Sequence, residues 1–256
     1  MTRSRWIVLA SLGLIGAGSV GLDGKSAFAL DRNTRAVVEL FTSQGCSSCP
    51  PADALMQKMA KDPTLVILSF PVDYWDYLGW KDTFSKHDYS VRQHDYANVR
   101  GDNEVYTPQA VIDGRTHEVG SDAEGINRSI TSLSDSGALS VRVSVEMAGD
   151  VVTAHIGSAV RSNEAKATVW LVKYGHEQTV AIGRGENSGH SVTYTNVVTD
   201  MQPVGMWKGQ AMTLELPRNS MTNSRNSGYA LLLQTDVNGR PGPILGATVL
   251  DDGKAY

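Results

Sequence analysis

The chain has 256 residues and a formal net charge of −4 at pH 7, and 41% of its residues are hydrophobic. A chain of this length can form one large domain or two small ones. Because it is mildly acidic and contains no run of basic residues, it lacks the electrostatic footprint of a protein that binds nucleic acid or an anionic membrane surface. We therefore expect neither as a partner.

Residues 1–29 have the pattern of a secretory signal peptide. Arg3 and Arg5 supply the positive charge, residues 6–22 are mostly apolar, and Ala27-Phe28-Ala29 matches a small-residue cleavage site. An uncleaved anchor is the alternative, although the apolar stretch is at the short limit for a membrane span. We predict cleavage after Ala29, which makes the mature protein periplasmic or secreted and free of the membrane.

Strand-like and helix-like segments alternate in the first half of the chain and predict an α/β domain over residues 32–136. Short apolar runs predict buried strands, and apolar residues at helical spacing predict helices. The predicted strands are 37–41, 65–70, 110–112 and 117–119. The predicted helices are 50–60, 88–99 and 122–133.

The pattern changes after residues 134–137, where apolar and polar residues begin to alternate with period two. This alternation, with turn signals between the segments, predicts an antiparallel β-sandwich domain over residues 138–256 and no helix there. Because the connection is too short for an independent tether, we expect this domain to pack on the first. The predicted strands are 140–147, 151–156, 168–173, 179–182, 191–198, 212–216, 230–234 and 244–250.

The chain's two cysteines form the motif Cys46-Ser47-Ser48-Cys49, which follows the first predicted strand and opens the first predicted helix. Free N–H groups and the positive dipole end of a helix N-terminus favour a thiolate. The motif therefore predicts a redox-active disulfide, with Cys46 as the exposed nucleophile and Cys49, further into the helix, as the resolving thiol. No metal or other cofactor is expected, and the expected partners are protein or small-molecule thiols and disulfides. The oligomeric state is open.

Three alternatives to catalysis of thiol–disulfide exchange remain. In one, the protein is a non-catalytic binding protein whose β domain carries the recognition, and the dithiol only regulates it. The other two concern the motif itself. The first is an inert local disulfide, although so short a loop restrains little of the unfolded chain. The second is a binding protein that holds Cu(I), a soft ion for which two thiolates can be enough. Two thiolates alone do not complete a zinc site.

An aromatic segment fills the loop between the second predicted strand and the second predicted helix. It forms either a hydrophobic wall that holds a substrate beside the dithiol or a satellite core packed against the β domain. In the first case Trp75 and Trp80, together with Tyr106, contact the substrate. The aromatic residues of the segment are Tyr74, Trp75, Tyr77, Trp80 and Phe84.

The glycine-rich segment 183–189 superficially suggests a phosphate-binding loop. It follows a predicted strand, but it has neither a Gly-Lys-Ser/Thr motif nor a helix after it. We therefore predict a long β-turn.

The dithiol, the later Thr107-Pro108 and the β-α-β order make residues 32–136 resemble the thioredoxin superfamily. The resemblance implies that the Thr107–Pro108 peptide bond is cis, that it lies against the dithiol, and that the Thr107 backbone pairs with an incoming peptide. Thr107 and Pro108 are therefore candidate catalytic residues. Thioredoxin also has a buried acid before its first cysteine, where this chain has Leu40, and Glu39 is expected on the opposite face of the strand.

Longer motifs resemble a family of secreted bacterial proteins known as domain of unknown function 1223. They comprise residues 39–53, 73–82, 106–109 and 183–189. The resemblance covers nearly the whole mature chain and implies a thioredoxin-like fold with an added β domain. It does not imply an activity, so the function rests on the dithiol: the leading hypothesis is a periplasmic thiol–disulfide oxidoreductase.

Overall fold

The computed structural model describes residues 28–30, 33–160, 166–218, 221 and 226–250. Most of the predicted signal peptide, residues 1–27, and the last residues of the predicted β domain, 251–256, lie outside the described residues. Cleavage of the signal peptide therefore stays a prediction. The short strand Phe28–Leu30 spans the predicted cleavage point and pairs with a strand of the second half.

The described residues form a mixed α/β fold, as predicted. The helices are α1 Pro50–Met59, α2 His87–Arg100 and α3 Ala123–Asp135, with a short 3-10 helix at Asp76–Leu78. The strands of the first half are β1 Phe28–Leu30, β2 Ala36–Thr42, β3 Leu65–Pro71, β4 Gln109–Ile112 and β5 Thr116–Val119. Those of the second half are β6 Val143–Ala148, β7 Val151–Ile156, β8 Ala167–Ala181, β9 Ser191–Trp207, β10 Met212–Pro217, β11 Ser227–Val237 and β12 Arg240–Leu250.

The main departure from the predicted elements is the length of β8 and β9. The predicted strands 168–173 and 179–182 are a single strand, β8, and the predicted strand 191–198 is only the first part of β9. The pairing of β8 with β9 shifts register between Lys173 and Tyr174. Because such an irregularity interrupts the alternation of the two faces while the strand continues, the period-two pattern divided β8 at this point.

One eight-stranded sheet runs through both halves of the chain, in the order β12-β11-β8-β9-β3-β2-β4-β5. Its first-half strands are β2, β3, β4 and β5, with β3 parallel to β2 and β4 antiparallel to it. Its other four strands come from the second half, and β9 meets β3 in parallel. The predicted boundary near residue 137 therefore does not separate two sheets, and the prediction that the second half packs on the first is confirmed.

Side chains reinforce the junction between β9 and β3, which are paired only at Ser69 and Val197. The Ser69 hydroxyl donates to the Thr195 carbonyl at 2.7 Å, and the Asn196 amide donates to the Ile67 carbonyl at 2.9 Å. Asn196 has a φ of +49°, a conformation that asparagine tolerates better than most residues. These hydrogen bonds hold β9 beside β3 where the ladder itself is short.

Helices cover both faces of the first-half strands. In α1 the proline start is compatible with the helix, and Ala52, Met56 and Met59 fall on its buried face. The apolar cluster under α1 and α3 includes Val38, Leu40, Ile112, Ile126 and Ile130. The cluster on the opposite face, under α2, includes Val37, Phe41, Phe70, Tyr89 and Tyr96 and continues onto β8, β11 and β12.

A smaller sheet in the order β1-β6-β7-β10 packs on the second-half strands of the large sheet. Its buried valines, Val143, Val145 and Val152, lie in one apolar cluster with Leu231 and Leu233 of β11. The alternation predicted for these strands is present, since buried and less buried residues alternate along β6 and β7. In this part of the molecule two sheets therefore enclose a core.

Candidate functional site

Cys46 and Cys49 form a disulfide in the loop between β2 and α1, with their Cα atoms 5.4 Å apart. Cys49 is the residue that caps the N-terminus of α1, as the sequence predicted. Its N–H donates to the Cys46 carbonyl at 3.2 Å. Cys46 is only 1% exposed and Cys49 is fully buried, whereas Ser47 and Ser48 between them are exposed. The prediction that Cys46 is exposed is therefore wrong for the disulfide form, because residues distant in sequence pack against the loop.

The Thr107–Pro108 segment lies against the dithiol loop. Its peptide bond is cis, as the resemblance to thioredoxin implied. The Ser48 hydroxyl donates to the Thr107 carbonyl at 3.5 Å, and the Sγ of Cys46 lies 3.4 Å from the same hydroxyl. The structure therefore brings together three of the predicted site residues, Cys46, Cys49 and Thr107, with Pro108 next to them.

Trp75 connects the dithiol loop with the Thr107 segment. Its Nε1 donates to Thr107 Oγ1 at 2.8 Å. Its Cβ lies so close to Gly45, the residue before Cys46, that a Cβ added to Gly45 would be 3.0 Å away. Trp75 therefore lies at the edge of the dithiol, where the sequence placed it as a candidate substrate contact.

Trp80, the second tryptophan predicted to contact the substrate, packs instead against the second half. With Phe84 it covers a buried cluster of β8 and β9 residues: Ile182, Val192, Tyr194 and Val197. Its Nε1 donates to Gln44 Oε1 at 2.8 Å. The aromatic segment therefore has two parts. Trp80 and Phe84 form the predicted satellite core against the second half, whereas Trp75 lies beside the dithiol loop.

Tyr106, the third predicted substrate contact, directs its hydroxyl away from the dithiol. The hydroxyl lies 2.8 Å from His117 Nδ1, and His117 Nε2 lies 3.3 Å from Asp102 Oδ2. Arg100 pairs with the same carboxylate, and its hydrogen bonds lower the pKa of Asp102 to about 2. Tyr106 therefore belongs to a chain of polar contacts beside β4 and β5, and only its neighbour Thr107 touches the dithiol loop.

Asn187 holds the dithiol loop from the second half of the chain. This buried residue lies in the turn between β8 and β9, and its Nδ2 donates to the carbonyls of Gln44 and Cys46, both at 2.9 Å. The predicted β-turn at 183–189 is confirmed by hydrogen bonds from Ser188 N to Gly185 O and from Gly189 N to Ile182 O. The sequence contained no signal for the contact, because Asn187 and Cys46 are 141 positions apart.

Asp53 is a buried acid that the sequence analysis missed. Its N–H donates to the Cys49 carbonyl at 3.1 Å, so it lies one helical turn after Cys49. Asp53 is 2% exposed, and Thr42 Oγ1 donates to its Oδ1 at 2.9 Å. Its Oδ2 has no hydrogen-bond partner among the described residues. Burial raises the pKa of Asp53 to about 8, against the lowering effect of the Thr42 hydrogen bond, and Asp82 raises it further. The i, i+4 spacing from Cys49 was the signal that could have found it.

Glu39 and Leu40 take the faces of β2 that the sequence predicted. Leu40 belongs to the apolar cluster under α1 and α3, and Glu39 lies on the face of α2. The buried Glu39 carboxylate accepts from Arg92 Nε at 2.9 Å and from the Tyr96 hydroxyl. Arg92 also donates to Gln234 Oε1 of β11 at 2.9 Å. Glu39 is therefore part of an ion pair between the sheet and α2, on the far side of β2 from Leu40.

The part of the chain that the structure describes contains no cluster of three or more His, Cys, Asp or Glu side chains that could hold a metal ion. Cu(I) binding by the two thiolates alone stays a prediction. None of the described helices is long and apolar enough to span a membrane.

Two solved structures are similar to this chain. The crystal structure of protein AGR_C_4864 from Agrobacterium tumefaciens matches with a TM-score of 0.77 and 39% sequence identity, over 89% of this chain and 99% of that one. HBP35 of Porphyromonas gingivalis matches with a TM-score of 0.55 and 12% identity, over 86% of this chain and 75% of that one, and so shares the fold alone. A search of curated proteins finds no match.

The sequence profile of one protein family covers residues 37–234, which include the dithiol loop, the Thr107–Pro108 segment and the Asn187 turn. The match covers well over half of the chain and agrees with the resemblance seen in the motifs. The chain belongs to the DUF1223 family, described as proteins of unknown function.

Proposed function

We propose that this protein is an exported thiol–disulfide oxidoreductase that uses Cys46 and Cys49. Its first half, residues 32–136, would be a thioredoxin-like domain, and its second half, residues 138–256, a β-sandwich that shares the large sheet. The observation that carries the proposal is the Cys46–Cys49 disulfide at the start of α1, with the buried acid Asp53 one turn later. That arrangement supplies both a nucleophile and a proton acceptor.

In the first step the reduced protein attacks a substrate disulfide. The Cys46 thiolate, stabilised by the N-terminus of α1, forms a bond with one substrate sulfur, while the bond between the two substrate sulfurs breaks. The released substrate thiolate takes up a proton. The product is a mixed disulfide between Cys46 and the remaining half of the substrate.

In the second step Cys49 resolves the mixed disulfide. Its thiol gives its proton to the Asp53 carboxylate, and its sulfur attacks Cys46 and forms the Cys46–Cys49 disulfide. The bond between Cys46 and the substrate sulfur breaks, and the second substrate half leaves as a thiolate that takes up a proton from Asp53 or from water. Two electrons have passed from the dithiol to the substrate. The same steps in reverse oxidise a substrate dithiol, so the reduction potential decides the direction in the cell.

Substrate access fits an extended or small disulfide. Cys46 is 1% exposed, and Thr107 is engaged by both Ser48 and Trp75. A peptide that pairs with the Thr107 backbone must replace the Ser48 hydroxyl and lie along Trp75. A bulky folded partner would meet Trp75 first.

Two single-cysteine variants test the proposal. Cys46→Ser should abolish reduction of a model disulfide such as oxidised glutathione, because the attacking sulfur is gone. Cys49→Ser should instead accumulate a mixed disulfide with glutathione at Cys46, detectable by mass spectrometry, because the resolving thiol is gone. Unchanged turnover in Cys46→Ser would refute the proposal.

A further inference from the structure

We propose that Asn187 is a positioning residue for the dithiol: its amide fixes the Cys46 carbonyl and so sets where the Cys46 thiolate lies relative to the N-terminus of α1. The inference rests on the proposed function and gives the second half of the chain a part in it. The β8–β9 turn would tune the reactivity of a cysteine that belongs to the first half.

Both protons of the Asn187 amide are used on the dithiol loop. They are donated to the Gln44 and Cys46 carbonyls, each at 2.9 Å, and the residue is 5% exposed. Because both hydrogen bonds come from one planar amide, they fix the orientation of the dithiol loop relative to Asn187 as well as its distance from Asn187. The buried setting makes each of them costly to lose.

The loop that receives these bonds is held from the first half as well. The Gln44 N–H donates to Asp82 Oδ2 at 2.7 Å, and Gln44 Oε1 accepts from Trp80 Nε1 at 2.8 Å. Asp82 and Trp80 both come from the aromatic segment. Among the described residues, Asn187 is the only one whose side chain donates a hydrogen bond to the Cys46 carbonyl.

The turn that carries Asn187 is itself fixed against the aromatic segment. Gly185 has a φ of +76°, and a Cβ added there would lie 3.2 Å from the Cβ of Trp80. A Cβ added to Gly183 would lie 3.4 Å from the indole ring of Trp80. These glycines allow the turn to approach Trp80 closely, so the ring that packs the two halves together also places the Asn187 amide.

The chemical consequence concerns the reduced protein. A thiolate at Cys46 is stabilised only while its sulfur lies near the free N–H groups at the start of α1, because that effect falls off within one turn. Without the Asn187 amide, the carbonyl of Cys46 loses a donor and the loop can move away from the helix. The pKa of Cys46 should then rise, and less of the thiol should be ionised at neutral pH.

The test compares Asn187→Ala with Asn196→Gly. Asn196 is a matched control because its amide also ties the second half to a first-half carbonyl, that of Ile67, away from the dithiol. Glycine removes that amide without strain at its positive φ. Both variants should lower the melting temperature.

The discriminating readout is the pH dependence of Cys46 alkylation by iodoacetamide in the reduced protein. Asn187→Ala should shift the midpoint upward and slow alkylation at neutral pH by about two- to fivefold, the range of a helix-end charge effect. Asn196→Gly should leave the profile unchanged. If Asn187→Ala does not fold, Asn187→Ser gives the same readout with a polar side chain retained.

An unchanged profile in the Asn187 variant, or an equal shift in Asn196→Gly, would overturn the inference. The proposed function fails separately: if the wild-type disulfide does not equilibrate with glutathione at all, exchange itself is excluded, whatever the Asn187 variant does.

Discussion

Glu39 and Asp53 are two buried acids close to the same strand, and they differ in whether a cation lies beside the carboxylate. Glu39 lies against a cation, with Arg92 Nε 2.9 Å from its carboxylate and the Tyr96 hydroxyl beside it. Asp53 accepts one hydrogen bond, from the Thr42 hydroxyl, and its second carboxylate oxygen has no hydrogen-bond partner in the part of the chain that the structure describes. Both are at most 2% exposed.

The difference in environment gives the two acids different protonation behaviour, and under the proposed function only Asp53 would take part in chemistry. Burial alone would lower the pKa of Arg92, but Glu39 and Tyr96 raise it overall, so the guanidinium stays charged beside the Glu39 carboxylate. No cation of the described residues compensates the burial of Asp53, and its pKa rises to about 8. A carboxyl group that titrates near neutral pH, one turn from a resolving cysteine, can both accept and return a proton.

Loss of turnover in Asp53→Asn is the largest effect that the comparison predicts. The amide keeps the shape of the side chain but cannot take the proton of Cys49. We expect turnover to fall by about 10²-fold, the usual lower range for a lost general base, while Cys46 alkylation stays normal. Asp62→Asn, at an exposed acid, is the control and should change neither. Turnover of Asp53→Asn within twofold of wild type would remove Asp53 from the mechanism.

Removal of the cation beside Glu39 should have a large effect on stability and little on chemistry. Arg92→Met leaves the Glu39 charge buried without its partner and should lower the free energy of unfolding by about 3–5 kcal/mol, measured by urea denaturation. The control is Arg35→Met, at an exposed pair with Asp62 at 3.4 Å, which should cost less than about 1 kcal/mol. Equal losses in the two variants would show that Glu39 and Arg92 are not a buried pair in solution.

The pH dependence of stability should separate the two acids as well. The folded pKa of Asp53, about 8, lies above its ordinary value of 3.8, so the folded state holds a proton that the unfolded state releases. The stability from this group is present below pH 4 and is lost as the pH rises toward 8. Asp113, whose pKa burial raises to about 6, acts in the same direction.

Unfolding free energies of wild type and Asp53→Asn at pH 5 and pH 8 measure this effect. The variant should gain stability relative to wild type as the pH rises, because it has no proton to lose, whereas Asp113 contributes equally to both proteins. Parallel curves would contradict the raised pKa of Asp53.

The smallest effect should come from the one hydrogen bond that Asp53 receives. Thr42→Val removes a bond that lowers the pKa of Asp53, so the midpoint of the pH–turnover profile should move upward. The shift should correspond to about 1 kcal/mol or less, the net value of one hydrogen bond. Thr42→Ser, which keeps the hydroxyl, should restore the wild-type midpoint. A downward shift in Thr42→Val would mean that the hydroxyl does not stabilise the carboxylate.

Local patterns predicted much of the first half. The strand before the dithiol, predicted at 37–41, is β2 Ala36–Thr42, and the helix predicted at 50–60 is α1 Pro50–Met59. The opposite faces of Glu39 and Leu40 followed from strand alternation. These features depend on neighbours in sequence, and so could be predicted from sequence alone.

The features that define the site depend on contacts between distant positions. The alternation of β9 does not reveal that it joins β3, nor does the glycine-rich turn reveal that Asn187 reaches Cys46. The i, i+4 spacing places Asp53 one turn after Cys49, but its burial and its raised pKa depend on how α1 packs against the sheet. The different positions of Trp75 and Trp80 also depend on contacts between distant positions. Trp75 contacts Thr107, whereas Trp80 packs against residues of β8 and β9 that no local pattern identifies as its neighbours.

The redox equilibrium of Cys46 and Cys49 with glutathione, followed from pH 6 to pH 9, tests the central claim most directly. The account predicts a reversible two-electron transition whose pH dependence near pH 8 differs between the wild type and Asp53→Asn, because the Asp53 carboxyl group of the wild type exchanges a proton as the Cys46–Cys49 disulfide is reduced. A disulfide that does not exchange with glutathione at any pH, or one whose pH dependence is identical in the two proteins, would contradict it.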